Sequence, residues 1–142
     1  MSKLNFDILA IGRCNTQYRS EKMAAYGLKA CHTSYLTNIC AHPGISQDQL
    51  AQIIYFNKSN VARQAAFLEE EGYIVRRPSE TDKRVLELYP TEKAIALLPE
   101  IRSFLREWDE MLTAGLTPQE AEDVVVILDK MKEKAGAWMN EH

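Results

Sequence analysis

With 142 residues, 46% of them hydrophobic and 26% charged, the chain is long enough for one domain with a real core and too short for two independent catalytic domains. No apolar run approaches a membrane span, and Asn5 and Asp7 stand where a signal peptide would be apolar, so a cytoplasmic protein with no membrane partner is expected. The net charge of −3 argues against nucleic acid only on average: Lys58, Arg63, Arg76, Arg77, Lys83 and Arg84 face just Glu80 and Asp82 in stretches 58–63 and 76–84, while 107–142 is strongly acidic, so a local phosphate-binding surface stays open.

The first predicted element is a long helix over about 4–26. Leu4, Ile8, Ile11 and Tyr18 recur at helical spacing beside Leu9, Gly12, Met23 and Tyr26, which predicts a broad buried face. A second helix, about 30–41, places Tyr35, Leu36, Ile39 and Cys40 on one side and stops at His42-Pro43-Gly44. Ser46-Gln47-Asp48-Gln49 has the form of a capping box, with Ile45 placed to staple onto Leu50, and opens a short helix to about 54. Tyr55-Phe56-Asn57 interrupts it. Asn57 is a good N-cap for a further helix from 58 to 71, which Gly72 ends.

The hydrophobic period then drops to about two. Residues 73–77 and 84–89 are short β-prone runs around a polar 78–83 connection, a hairpin. Pro90-Thr91 starts the fifth helix, with Ile95, Leu98, Ile101, Leu105, Trp108 and Leu112 as its stripe, ending near Gly115. Thr117-Pro118-Gln119-Glu120 is a second capping box, and Val124, Val125, Leu128, Met131 and Trp138 mark the last helix.

Two short helices joined by a three-residue turn, with a hairpin directly after the second, make a winged helix-turn-helix. The predicted fold class is mainly α with a small antiparallel β-wing. On the helix over 58–71, Val61, Ala65 and Leu68 lie within about 60° of one another and face the core. Ser59, Asn60 and Arg63 fall on the opposite side, with Lys58 and Gln64 at its edges. Arg can fork to guanine, Asn or Gln can pair with adenine, and Lys or Ser can hold phosphates, so these types suit a major-groove helix. Taken alone they would read first as an ordinary solvated helix face, and the wing shifts the reading toward DNA. The wing tip adds Lys83 and Arg84 to reach a minor groove, with Asp82 placed to hold an arginine extended by a charge-assisted hydrogen bond.

These residues resemble the MarR (multiple antibiotic resistance regulator) family of winged-helix transcription regulators over nearly the whole chain. The segments that carry the resemblance are 44–51, 57–63, 68–77, Asp82-Lys83-Arg84 and Thr91-Glu92-Lys93. The resemblance implies that Lys58, Ser59, Asn60, Arg63 and Gln64 read DNA and that Arg84 enters the minor groove, with Ser46 and Lys83 also at the DNA. It implies a winged helix-turn-helix over 29–91 and dimerisation helices at 1–28 and 92–142 within a single unit. The expected function is that of a homodimeric regulator, a repressor, on a pseudo-palindromic operator. A small-molecule effector is expected beside Tyr18, His32 and Tyr35. Three positions depart from the family pattern: Tyr55 stands where a turn glycine is usual, and Lys29 and His32 replace the threonine and glutamine that open the second helix.

Rival readings are weaker. Cys14, Cys31, Cys40, His32 and His42 could serve chemistry, but there is no glycine-rich phosphate loop, His-Glu-x-x-His or nucleophile elbow, so no enzyme and no cofactor are expected. The three cysteines are odd in number and fit no zinc spacing; buried, reduced thiols are the expectation. Cys31, His32 and His42 lie where the zinc-responsive branch of the family has ligands, but the fifth helix lacks the histidines of that branch, so no metal site is expected. Cys14 lies downstream of the cysteine of the peroxide-sensing branch. A thiol- or metal-responsive regulator of the same fold and a winged helix that binds protein are the remaining alternatives.

Overall fold

The computed structural model describes residues 2–142. The chain divides into two compact units, Met1–Ile101 and Arg102–His142.

In the first unit, α1 (Lys3–Ala24) starts where the Ser2 hydroxyl accepts the Asn5 amide at 3.1 Å. Its expected buried face is not buried. Leu4 is 62% exposed, Ile8 and Ile11 are exposed with Phe6 and Leu9, and of the helix residues only Met23 lies in the core. A helical period reports which side chains share a face and not what covers that face. Helix α2 (His32–Ala41) begins two residues later than expected, because 29–31 form a turn that the His32 side chain closes. Tyr35, Leu36 and Ile39 are buried as the pattern predicts.

A two-residue strand, β1 (Ile45–Ser46), precedes α3 (Gln47–Ile54). The capping box forms in full: Gln49 N donates to Ser46 Oγ and Ser46 N donates to Gln49 Oε1, both at 3.0 Å. Helix α4 (Lys58–Glu70) is capped by Asn57, whose Oδ1 accepts the Asn60 amide at 2.7 Å, and buries Val61, Ala65 and Leu68. Gly72 ends it at φ +82°, a left-handed value that favours glycine.

The wing is built from β2 (Ile74–Pro78) and β3 (Leu86–Pro90). The sheet is antiparallel in the order β1-β3-β2, and Leu88 pairs with Ile45 on one side and Arg76 on the other. Gly44 enters β1 at φ +91°, a left-handed value that favours glycine, and a Cβ there would press against the Tyr89 hydroxyl at 3.2 Å. Leu50, Leu68 and Leu88, all without solvent exposure, bring helices and sheet onto one core. Burial of each such side chain contributes roughly 1.5–3 kcal/mol.

Helix α5 (Glu92–Thr113) follows the wing. Its buried residues are Ala94, Leu97, Leu98, Ile101, Phe104 and Trp108, whereas Ile95 and Leu112, expected inside, are exposed. In the second unit, α6 (Pro118–Glu141) opens with the second capping box: Glu120 N donates to Thr117 Oγ1 at 3.1 Å and Thr117 N donates to Glu120 Oε1 at 2.9 Å. Val125 is 66% exposed, and Val126, Ile127, Leu128 and Trp138 are exposed too.

Candidate nucleic-acid interface

The turn between α3 and α4 depends on Tyr55, which closes α3 in the left-handed region at φ 60°, ψ 34°. Among the described residues it is the one non-glycine with positive φ. The left-handed conformation costs an L-residue roughly 1–2 kcal/mol, so the departure from glycine is absorbed as local strain and the turn geometry is kept. Phe56 N then donates back to Ala51 O at 3.2 Å, and Asn57 starts α4 in extended conformation.

The solvent face of α4 carries Lys58, Ser59 and Arg63, all exposed, with Asn60 and Gln64 half-buried at its border. Each has a different degree of freedom. Ser59 Oγ donates to Asn57 Oδ1 at 2.9 Å, and Lys58 Nζ lies 3.5 Å from Asp48 Oδ2 in an exposed pair. Such pairs are worth little in water and yield readily to a phosphate. Arg63 makes no hydrogen bond or ion pair among the described residues. Ser46, half-buried at the start of α3, uses its oxygen as an acceptor in the cap and keeps its proton to donate.

Gln64 is the least free. Its Oε1 meets His32 Nε2 at 2.8 Å, and its Nε2 approaches Asn60 Oδ1 at 3.5 Å. His32 has no solvent exposure, stacks on Phe67 with ring centroids 5.1 Å apart, and accepts the Lys29 amide on Nδ1 at 2.9 Å. Burial, the largest cause, pushes its imidazole below the ordinary value; Lys29 adds to this and the Gln64 hydrogen bond opposes it. The sequence pattern had no signal for this link, which joins residues 32 positions apart.

In the wing, the Arg84 side chain is 90% exposed and pairs with Asp82. Nε and Nη2 donate to Oδ1 and Oδ2 at 3.1 and 3.2 Å, and the Arg84 amide adds a third bond to Oδ1 at 3.1 Å. The side-chain bond from Arg84 and then its backbone bond hold the Asp82 carboxyl below the usual range. Lys83 is exposed beside them. The other wing cations are occupied: Arg76 gives its amide and Nε to Glu69 at 2.8 and 3.2 Å and reaches Gln47 Oε1 at 3.4 Å, and Arg77 lies 4.7 Å over the Tyr89 ring. Arg76 therefore ties the wing to α4 and α3.

The residues expected beside an effector are placed differently from one another. Tyr18 is half-buried, with Lys22 Nζ 5.5 Å from its ring centre. Tyr35 and His32 are core residues in edge contact at 6.2 Å, and Tyr35 also stacks on Phe56 at 6.3 Å. The Tyr35 hydroxyl is buried without a hydrogen-bond partner, and burial pushes its pKa up to about 12. An open groove of about 440 Å³ lies elsewhere, lined by His42, Pro43, Gly44, Ile45, Gln49, Gln52 and Ile53. The cysteines are not uniformly buried: Cys14 is exposed, and Cys31 and Cys40 are half-buried. Burial, partly offset by Lys29, pushes the Cys31 thiol up. Among the described residues no group of three or more His, Cys, Asp or Glu side chains could hold a metal ion, and no helix is long and apolar enough to cross a membrane.

A capped helix pair about a tight turn, an outward polar face on the second helix and a β-hairpin wing in a three-stranded sheet define a winged helix-turn-helix protein. Residues 26–85, which hold the helix pair and most of the wing, match the profile of the MarR family. The chain is 33% identical over 98 residues to the HTH-type transcriptional regulator YybA of Bacillus subtilis (strain 168); the match covers 69% of this chain and spans 65% of that relative. A MarR family transcriptional regulator of Listeria monocytogenes solved with a 26-mer DNA superposes with a TM-score of 0.92 at 26% identity, covering 98% of this chain and 93% of that one. A MarR transcriptional regulator of Methanosarcina mazei Go1 superposes with a TM-score of 0.87, also at 26% identity, covering 93% and 95%.

Proposed function

We propose that this chain is a cytoplasmic transcription regulator, a repressor, that binds a pseudo-palindromic duplex operator as a homodimer. The observation that carries the reading is the outward face of α4, where Arg63 stands uncommitted between Lys58, Ser59 and Asn60 while the opposite face is locked in the core. A helix so anchored offers its face to a major groove at little ordering cost, and Arg84, exposed and bonded to Asp82, suits the adjacent minor groove. Ser46, Lys58 and Lys83 would serve as phosphate partners and Gln64 as a border residue. The DNA-bound Listeria relative of the same fold supports this arrangement. Exposed apolar faces on α1 and α6 support dimerisation through the terminal helices, since a second copy would remove Leu4, Ile8, Val125 and Trp138 from water. A small molecule beside Tyr18, His32 and Tyr35 would tune affinity, and the Tyr35 hydroxyl, buried without a hydrogen-bond partner, supports a polar group there.

The test is binding to DNA fragments selected from a genomic library. Arg63→Ala should cost about 1–3 kcal/mol per half-site and relax one operator position. Arg84→Ala should weaken binding most where the flanks are A·T-rich. Wild-type affinity in both variants at ~150 mM salt would overturn the assignment, because phosphate contacts alone would then carry the binding. Sedimentation of a folded monomer at micromolar concentration would overturn the dimer.

A further inference from the structure

The hydrogen bonds around His32 leave one self-consistent arrangement of protons. A backbone N–H can only donate, so the Lys29 amide at 2.9 Å requires a lone pair on His32 Nδ1. A neutral imidazole with a bare Nδ1 carries its proton on Nε2, which therefore donates. The Gln64 atom 2.8 Å away must then be the carbonyl oxygen, and the Gln64 NH2 group must point away from His32, toward Asn60. The usual ambiguity of a glutamine amide is removed by a peptide amide two bonds upstream. The stack on Phe67 and complete burial fix the ring that transmits the constraint.

Resting on the DNA-binding reading above, we propose that His32 is a positioning residue that determines base specificity by holding Gln64 in one amide orientation. With its oxygen turned toward the buried ring, Gln64 presents its N–H donors to the groove. It selects a base edge that accepts, guanine O6 and N7 or thymine O4, and cannot make the bidentate pair with adenine, which needs the glutamine oxygen for the adenine N6 amine.

The experiment measures affinity for every single-base variant of a selected operator with the wild type, His32→Phe, His32→Gln and Gln64→Ala. Phenylalanine keeps an aromatic ring on Phe67 and removes the donor. Glutamine can accept the Lys29 amide with its oxygen and donate to Gln64 with its nitrogen. The wild type should prefer an acceptor-edged base at one position per half-site, and Gln64→Ala should lose that preference. His32→Phe should move the same position toward adenine by about tenfold and leave the others alone, His32→Gln should restore the wild-type preference, and His32→Phe should add nothing in the Gln64→Ala background. An unchanged base preference in His32→Phe, or an equal loss on every operator that persists without Gln64, would overturn the proposal. Nitrogen-15 NMR of the wild type decides the geometry even where a variant fails to fold: an Nε2–H tautomer is expected, and an Nδ1–H tautomer overturns the hold on Gln64. Absence of sequence-specific binding by the wild type would overturn the proposed function and base selection with it, whereas a wrong tautomer overturns only the role of His32.

Discussion

The guanidinium of Arg84 forks onto both carboxylate oxygens of Asp82, two residues away, at 3.1 and 3.2 Å while its own amide bonds the same carboxylate. The carboxylate thus keeps an exposed arginine in one pose, and the attraction has most value when DNA removes water from both groups. Asp82→Ala should weaken operator binding a few-fold through a faster off-rate and leave the thermal midpoint unchanged. Asp82→Asn should fall between, because the amide oxygen still accepts one bond. Fluorescence anisotropy beside thermal melting separates the two effects, and tighter binding by Asp82→Ala would mean that the acid acts against DNA by simple repulsion.

Tyr55 offers a stability gain. At φ 60° its Cβ crowds the backbone, and its exposed ring leaves little burial to lose. Tyr55→Gly should raise the unfolding free energy by about 0.5–1 kcal/mol, the strain relieved less the entropy glycine adds to the unfolded chain. Tyr55→Val should lower it, since a β-branched residue tolerates positive φ least. Urea titration with an unchanged slope is the check, and a destabilised glycine variant would show that the tyrosine ring contributes more than its exposure indicates.

Tyr35 carries a buried hydroxyl with no partner. Leaving such a group unsatisfied costs roughly 1–3 kcal/mol, so Tyr35→Phe should be more stable than the wild type by about 1 kcal/mol. A loss of stability in differential scanning calorimetry would place a bonded water or ligand on that oxygen.

His32 sets a pH dependence whose sign follows from its lowered pKa. The unfolded chain takes up this proton near the ordinary value of 6.5, before the folded protein does, so protonation favours unfolding. The contribution of His32 to stability is full above that value and is lost as pH falls through the lower folded-state pKa. Stability measured from pH ~8 down to ~5 should therefore decline below the ordinary histidine value, and His32→Gln should flatten that decline. A decline of equal size in His32→Gln would assign it to other groups.

The sequence read well where a few neighbouring residues settle the structure. Ser46 with Gln49, and Thr117 with Glu120, close both capping boxes, Asn57 caps α4, and Gly72 ends it, because each of these devices lies within one turn of chain. The phase of α4 was equally legible, since a 13-residue helix carries enough turns for its apolar period to be counted. Strand β1 was not: two residues have no period, and Ile45 and Ser46 become a strand only because β3, some 40 positions on, pairs with them.

The same boundary runs through the candidate interface. Residue types alone named Lys58, Ser59, Asn60, Arg63, Gln64, Lys83 and Arg84 as a polar face and a cationic tip. Which of the cations and amides are still free was decided by contacts distant in sequence: Glu69 and Gln47 take Arg76, the Tyr89 ring takes Arg77, and His32 takes the oxygen of Gln64. Helical phase likewise placed Leu4, Ile8 and Ile11 on one stripe of α1, but whether that stripe is covered depends on which surfaces pack against it, and in the single chain it is exposed. Local chemistry thus determined the elements and their faces from sequence alone. Only the tertiary structure decided which side chains on those faces were left to act, because hydrogen-bond partners are chosen by proximity in space, which chain order does not encode.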